Sequence, residues 1–196
     1  MRDLLAAVRG AFEGVAEAVP FLADWPEVGI LREVPADPLP VCRWIAGMSG
    51  AGDMAAVLAA VRTAASRLQW RQTYGAGDFG AGFLDGYGWS EFIGLRGPVP
   101  SERIACGVLL LGPGVTYPSH AHAAEEVYLP IHGVAEWQRG GGDFVPVPVG
   151  QAVHHAPWIP HAMRVGAQPL AALYLWRGGD LAAKSVILAS PASGPR

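Results

Sequence analysis

The sequence predicts a mainly β fold, a small β-barrel preceded by a helical extension. Three observations carry that expectation. Residue patterning changes from helical to strand-like near position 72. Short apolar runs punctuated by Gly and Pro then recur up to residue 177. All six histidines fall between positions 120 and 161, inside the strand-like part.

The first 72 residues read as the helical extension. Over 3–19, Leu4, Val8, Phe12, Val15 and Val19 recur at spacings of three and four, which places them on one helical stripe. A second helix is expected over 54–70, rich in Ala and Leu, with Asp53 as its N-cap. The segment DWPEVGILREVPADPLPV between them is broken by prolines and holds at most a short helix and an extended connection.

The barrel is expected over 73–180. Residues 75–97 alternate glycine with aromatics and read either as a lid over a barrel mouth or as tight turns around edge strands. Strand-like runs follow at 104–112, 115–122, 126–132, 134–139, 143–149, 152–156, 161–166 and 170–177. Many short strands with punctuating turns indicate a sandwich or barrel. The sequence GGGD at 140–143 marks a hairpin tip. Residues 181–196 are read as a C-terminal tail whose end, ASPASGPR, is disordered.

Composition narrows the function. Apolar residues make up 51% and charged residues 16%, with a formal net charge of −3. With no basic run to neutralise phosphates, a nucleic-acid partner is not expected. No apolar run approaches a membrane span. Asp3, Arg9, Glu13 and Glu17 interrupt the N-terminal apolar residues, so that segment reads as a folded helix of a cytoplasmic protein and not as a signal peptide. Cys42 and Cys106 lack motif spacing and read as free thiols.

The chemistry concentrates in His120-Ala121-His122-Ala123-Ala124-Glu125-Glu126-Val127-Tyr128. Residues two apart on a strand share a face. His120 and His122 therefore project together, as do Glu126 and Tyr128. If Ala123–Glu125 is a hairpin turn, an antiparallel pair brings all four to one interior face. Two imidazoles and a carboxylate suit a borderline divalent metal, Zn, Fe or Mn among others. His161, which opens the run HAMRV, is the expected further ligand. A shared ion would relieve the cost of burying these polar groups unpaired. His132 reads as structural and Glu125 as solvent-facing. His154 and His155 are adjacent and face opposite sides of any strand, so at most one could approach the site, and neither is assigned to it.

Gly114, His120, His122, Glu126 and Gly133 match the first cupin motif at every position. The second motif is looser. Gly150, Pro157 and His161 keep its spacing, but the internal glycine is missing, Pro160 precedes the histidine, and Val165 stands where Asn is common. A narrower likeness lies in YPSHAHAAEEVYLPIHG, the preceding FLDGYGWSEFIGLRGP, the helical N-terminal region and LYLWRGGDL. Over roughly 20–180 the chain resembles the bacterial cupin dimethylsulfoniopropionate lyases of the DddQ type. That resemblance implies a metal held by His122, Glu126, Tyr128 and His161. His120 becomes either a ligand or a neighbour of the substrate. Tyr128 and Tyr117 are implied as candidate bases, and Trp176, with Tyr117, as substrate-binding. The implied reaction is a metal-dependent β-elimination on a small molecule. A dioxygenase or isomerase of a small carboxylate, or a non-enzymatic ligand-binding cupin, are the other readings of the same motif. A homodimer is compatible with all of them.

Overall fold

The computed structural model describes residues 1–50 and 52–188. Helix α1 (Arg2–Phe12) buries Leu4, Val8 and Phe12 of the predicted stripe, together with Leu5, whereas Val15 and Val19 lie beyond it and Val19 is exposed. It stops short of the expected residue 19. Gly14 follows it, the chain re-forms as a 3₁₀ turn at Ala16–Ala18, and α2 (Val19–Leu22) starts with Pro20 in its first turn. Glycine is among the poorest helix formers, which accounts for the break. Helix α3 (Met54–Ala64) buries Val57, Leu58 and Val61, then tightens into a 3₁₀ turn at Ala65–Arg67 instead of running to 70. Asp53 is not the cap expected of it: its backbone is already helical and its side chain makes no capping hydrogen bond. No helix among the described residues is long and apolar enough to cross a membrane.

Among the described residues eleven strands follow: β1 (Tyr87–Gly94), β2 (Val99–Pro100), β3 (Ile104–Leu111), β4 (Thr116–Ala121), β5 (Glu125–His132), β6 (Ala135–Arg139), β7 (Val145–Val147), β8 (Val153–His155), β9 (His161–Val165), β10 (Leu170–Arg177) and β11 (Val186–Ile187). They form two sheets, ordered β2-β1-β3-β10-β5-β8 and β11-β4-β9-β6-β7. The GGGD segment does lie at a hairpin, between β6 and β7.

Three expectations are corrected. The 75–97 stretch contains a short helix, α4 (Ala81–Leu84), and the long strand β1, which pairs along most of its length with β3. Residues 181–188 are not a free tail, because Val186 and Ile187 pair with Ala121 and His120. The segment ASPASGPR, residues 189–196, lies outside the described residues. Finally, β4 and β5 are not a hairpin. They belong to different sheets, so the chain crosses the barrel between Ala121 and Glu125 instead of turning back on itself.

Strand parity explains why the central runs read as continuously apolar. On β3, Ile104, Cys106, Val108 and Leu110 pack beneath the helices, whereas Ala105, Leu109 and Leu111 face the barrel interior. On β5, Val127, Leu129 and Ile131 join the helix-side core, which leaves Tyr128 for the interior. The helical extension thus shares one core with the outer face of the larger sheet. With both faces buried, no polar alternation is required.

Candidate metal centre and cavity

Five side chains meet at the barrel's centre. His120 lies on β4, His122 just beyond it and His161 on β9, all from the smaller sheet. Glu126 on β5 and His155 on β8 come from the larger one. None is more than 4% exposed.

Backbone carbonyls set the tautomers of three rings. His120 Nδ1 donates to the Pro118 carbonyl, His122 Nδ1 to that of Ala124 and His161 Nδ1 to that of Ile159, each at 2.9 Å. A carbonyl only accepts, so each Nδ1 bears a proton, which leaves Nε2 as the nitrogen that can offer a lone pair to a metal when the ring is neutral. One donor atom from each of His120, His122 and His161 lies within 4.8 Å of the others. The same separation holds for Glu126, His155 and His161.

Glu126 is the hub. Its Oε2 lies 3.1 Å from His122 Nε2, 3.3 Å from His161 Nε2 and 3.5 Å from His155 Nδ1. The indole N–H of Trp176 donates to Oε1. Burial alone would raise this carboxyl, but the facing His122, with the other imidazoles close beside it, holds it well below the ordinary range. Burial opposes the charge on His122, yet Glu126 raises it. His120, crowded by burial and by His161, is pushed well below the ordinary imidazole range.

These residues fit a divalent metal ion. His161 Nε2 is buried without a well-aligned hydrogen-bond partner, as are both nitrogens of His155. Three Nε2 lone pairs beside an ionised carboxylate form a nitrogen–oxygen donor set that borderline divalent ions favour. The Nδ1–carbonyl bonds are the kind that orient metal-bound imidazoles.

A cavity of about 260 Å³ opens above the cluster. Tyr117, His120, Glu126, Tyr128, Tyr174 and Trp176 line it. It falls below the roughly 300–1,000 Å³ of drug-sized sites and suits a small metabolite. Tyr117 stacks on His120, with centroids 4.1 Å apart and planes 10° off parallel. Residues three apart on a regular strand face opposite ways. A register shift in β4 between Tyr117 and His120 removes that opposition and lets both face inward. The Tyr117 hydroxyl donates to that of Tyr74 at 3.2 Å. Tyr128 lies on β5 two residues from Glu126, and burial followed by the Glu126 charge holds its phenol well above the ordinary value. Trp176 stands opposite Glu126 in the β10–β5 register and packs 4.3 Å from the His122 ring.

The structure therefore gathers every residue singled out from the sequence: His120, His122, Glu126, Tyr128, His161, Tyr117 and Trp176. His155 corrects the reading that neither adjacent histidine reaches the site. Its partner on β5 is Glu126, which sets its inward face. His154 turns outward to Glu125, 2.9 Å away, and Arg177 also holds Glu125, so that carboxylate is paired and not simply solvent-facing.

Two mainly antiparallel sheets closed around a histidine–carboxylate centre define a cupin-type barrel with a candidate metal site. More particularly, the chain belongs to the dimethylsulfoniopropionate lyase family, whose profile matches residues 29–172. Dimethylsulfoniopropionate lyase DddQ of Ruegeria pomeroyi is 38% identical over 124 residues, 63% of this chain and 62% of DddQ. The putative lyase DddL of Cereibacter sphaeroides is 30% identical over 123 residues, 62% of this chain and 50% of DddL. The match thus spans less than two thirds of the length of either curated relative. A crystal structure of DMSP lyase DddQ from Ruegeria pomeroyi superposes with a TM-score of 0.86 at 31% identity, covering 95% of this chain and 94% of that one. A chain from the crystal structures of the DMSP lyases RdDddP and RnDddQII also gives 0.86, at 30% identity, covering 96% and 97%.

Proposed function

We propose that this chain is a metal-dependent lyase that cleaves dimethylsulfoniopropionate to dimethyl sulfide and acrylate by β-elimination. The observation that carries the reading is one small cavity that reaches the histidine–carboxylate cluster at His120 and Glu126 and is walled by buried phenols and an indole, in a chain of this family. His122, Glu126 and His161 are assigned to an ion such as Zn, Fe or Mn, with Tyr128 and His120 as further donors. When bound, the ion neutralises the substrate carboxylate, stabilises negative density in the transition state and favours the phenolate form of the adjacent tyrosine.

Tyr128 is assigned as the base. Its Oη takes the proton α to the carboxylate, and the C–H electron pair becomes the new C=C bond. The C–S bond breaks with its pair leaving on sulfur, so the sulfonium departs as neutral dimethyl sulfide. Tyr117 is the alternative base, and its face with that of Trp176 suits the sulfonium cation. Burial of the cluster strengthens the charge interactions within it.

The test is headspace dimethyl sulfide from the purified, metal-loaded protein. Tyr128→Phe is expected to lower kcat by about 10²–10⁴-fold, the usual worth of a general base. Wild-type release no greater than that of the variant, with an ion bound in both, would overturn the reading.

A further inference from the structure

Each histidine of this chain except one makes a hydrogen bond through its ring. His120, His122 and His161 donate to backbone carbonyls, His132 Nδ1 to the Ser49 carbonyl, and His154 pairs with Glu125. His155 is fully buried, and neither of its nitrogens has a partner among the described residues. A buried polar atom left unpaired has given up its hydrogen bonds to water with nothing in return. A core that needed only a flat ring here would be served by phenylalanine without that cost.

The surroundings give the ring a use. Its Nδ1 lies 3.5 Å from Glu126 Oε2, poorly aligned for a hydrogen bond but close enough to share a ligand. The ring stacks on His161, with centroids 4.0 Å apart and planes 13° off parallel. Tyr128 and Trp137 enclose its other sides. No carbonyl fixes its tautomer, so either nitrogen can offer a lone pair.

We propose that His155 is a metal ligand of this chain, taking a divalent ion together with Glu126 and His161. The cluster then holds two overlapping donor triads, His120/His122/His161 and Glu126/His155/His161, which share the His161 imidazole. In the stacked arrangement the two lone pairs lie in separate, nearly parallel planes. Joint ligation by His155 and His161 therefore requires one ring to turn about χ2, a torsion with a broad minimum. The inference rests on the reading that the cluster binds a divalent ion.

The experiment titrates zinc into the full chain carrying ¹⁵N-labelled imidazoles and follows the ring nitrogens by NMR. A His155 ring nitrogen is expected to move to the metal-bound position. In parallel, His155→Phe keeps the ring and the stack but removes both donors. Its cobalt affinity in chelator competition is expected to fall by about tenfold or more, with a changed cobalt visible spectrum. His155→Gln serves as the second variant, and the wild-type NMR decides if neither variant folds. If the wild type takes no zinc, the metal reading itself fails. If it takes zinc while the His155 nitrogens stay unmoved, His155 is a core ring and the proposal is overturned.

Discussion

At the residue scale, the contact that most constrains the site is the Trp176 indole N–H on Glu126 Oε1. It leaves the second oxygen facing three imidazoles and fixes the carboxylate plane. Trp176→Phe keeps an aromatic face on the cavity but removes the donor. It is expected to weaken metal affinity by about 10–100-fold, measured by chelator competition, because groups that orient a ligand carry effects of that size. A purely substrate-binding Trp176 would change KM and leave metal affinity alone. The residues with a local signature were legible in the sequence: His120, His122 and Glu126 by their spacing, and His161 by its distance from Gly150. The Trp176–Glu126 contact joins residues 50 positions apart, and no local pattern encodes it. The two neighbouring histidines of β8 were equally opaque, since only the pairing of His155 with Glu126 decides which one turns inward.

At the element scale, β3 shows how the larger sheet accommodates the cavity. A Cβ on Gly107 would stand 2.0 Å from the Ser90 carbonyl oxygen and 2.6 Å from the Tyr174 hydroxyl. The missing side chain is what lets the Tyr174 ring cross the strand. Gly107→Ala is expected to destabilise the fold by about 1–3 kcal/mol, the usual penalty of overpacking, read as a lower denaturant midpoint. Strands β3 to β10 were legible because apolar runs alternate with turn residues. Strand β1 was not, since Tyr87-Gly88-Trp89-Ser90 resembles the Gly-aromatic loop before it. Its strand character comes from pairing with β3 and burial of most of its length. The separation of β4 from β5 was hidden for a similar reason, because a three-residue connection that crosses between sheets has the length of a hairpin turn.

At the scale of the whole molecule, the tyrosines act together. The chain has five, and all are buried with phenols raised above the ordinary value, burial being the first cause in each. Tyr87 is pushed up to about 12. An acid whose folded pKa is raised releases its proton more readily when unfolded, so its contribution to stability is complete below about pH 10 and declines from there towards 12. For Tyr87 alone that decline is worth up to about 3 kcal/mol. Metal-free protein is therefore expected to show little tyrosinate absorbance at pH 10, then a cooperative rise coincident with loss of circular dichroism. Gradual ionisation of folded protein near pH 10 would contradict this. The division of the donors between the two sheets has a wider consequence. An ion gripped from both sides would fasten together segments far apart in the chain, and the unfolded chain has no such grip to offer. Folding and metal uptake would then be a single equilibrium, in which scarcity of the ion lowers the amount of native protein as well as its rate of turnover.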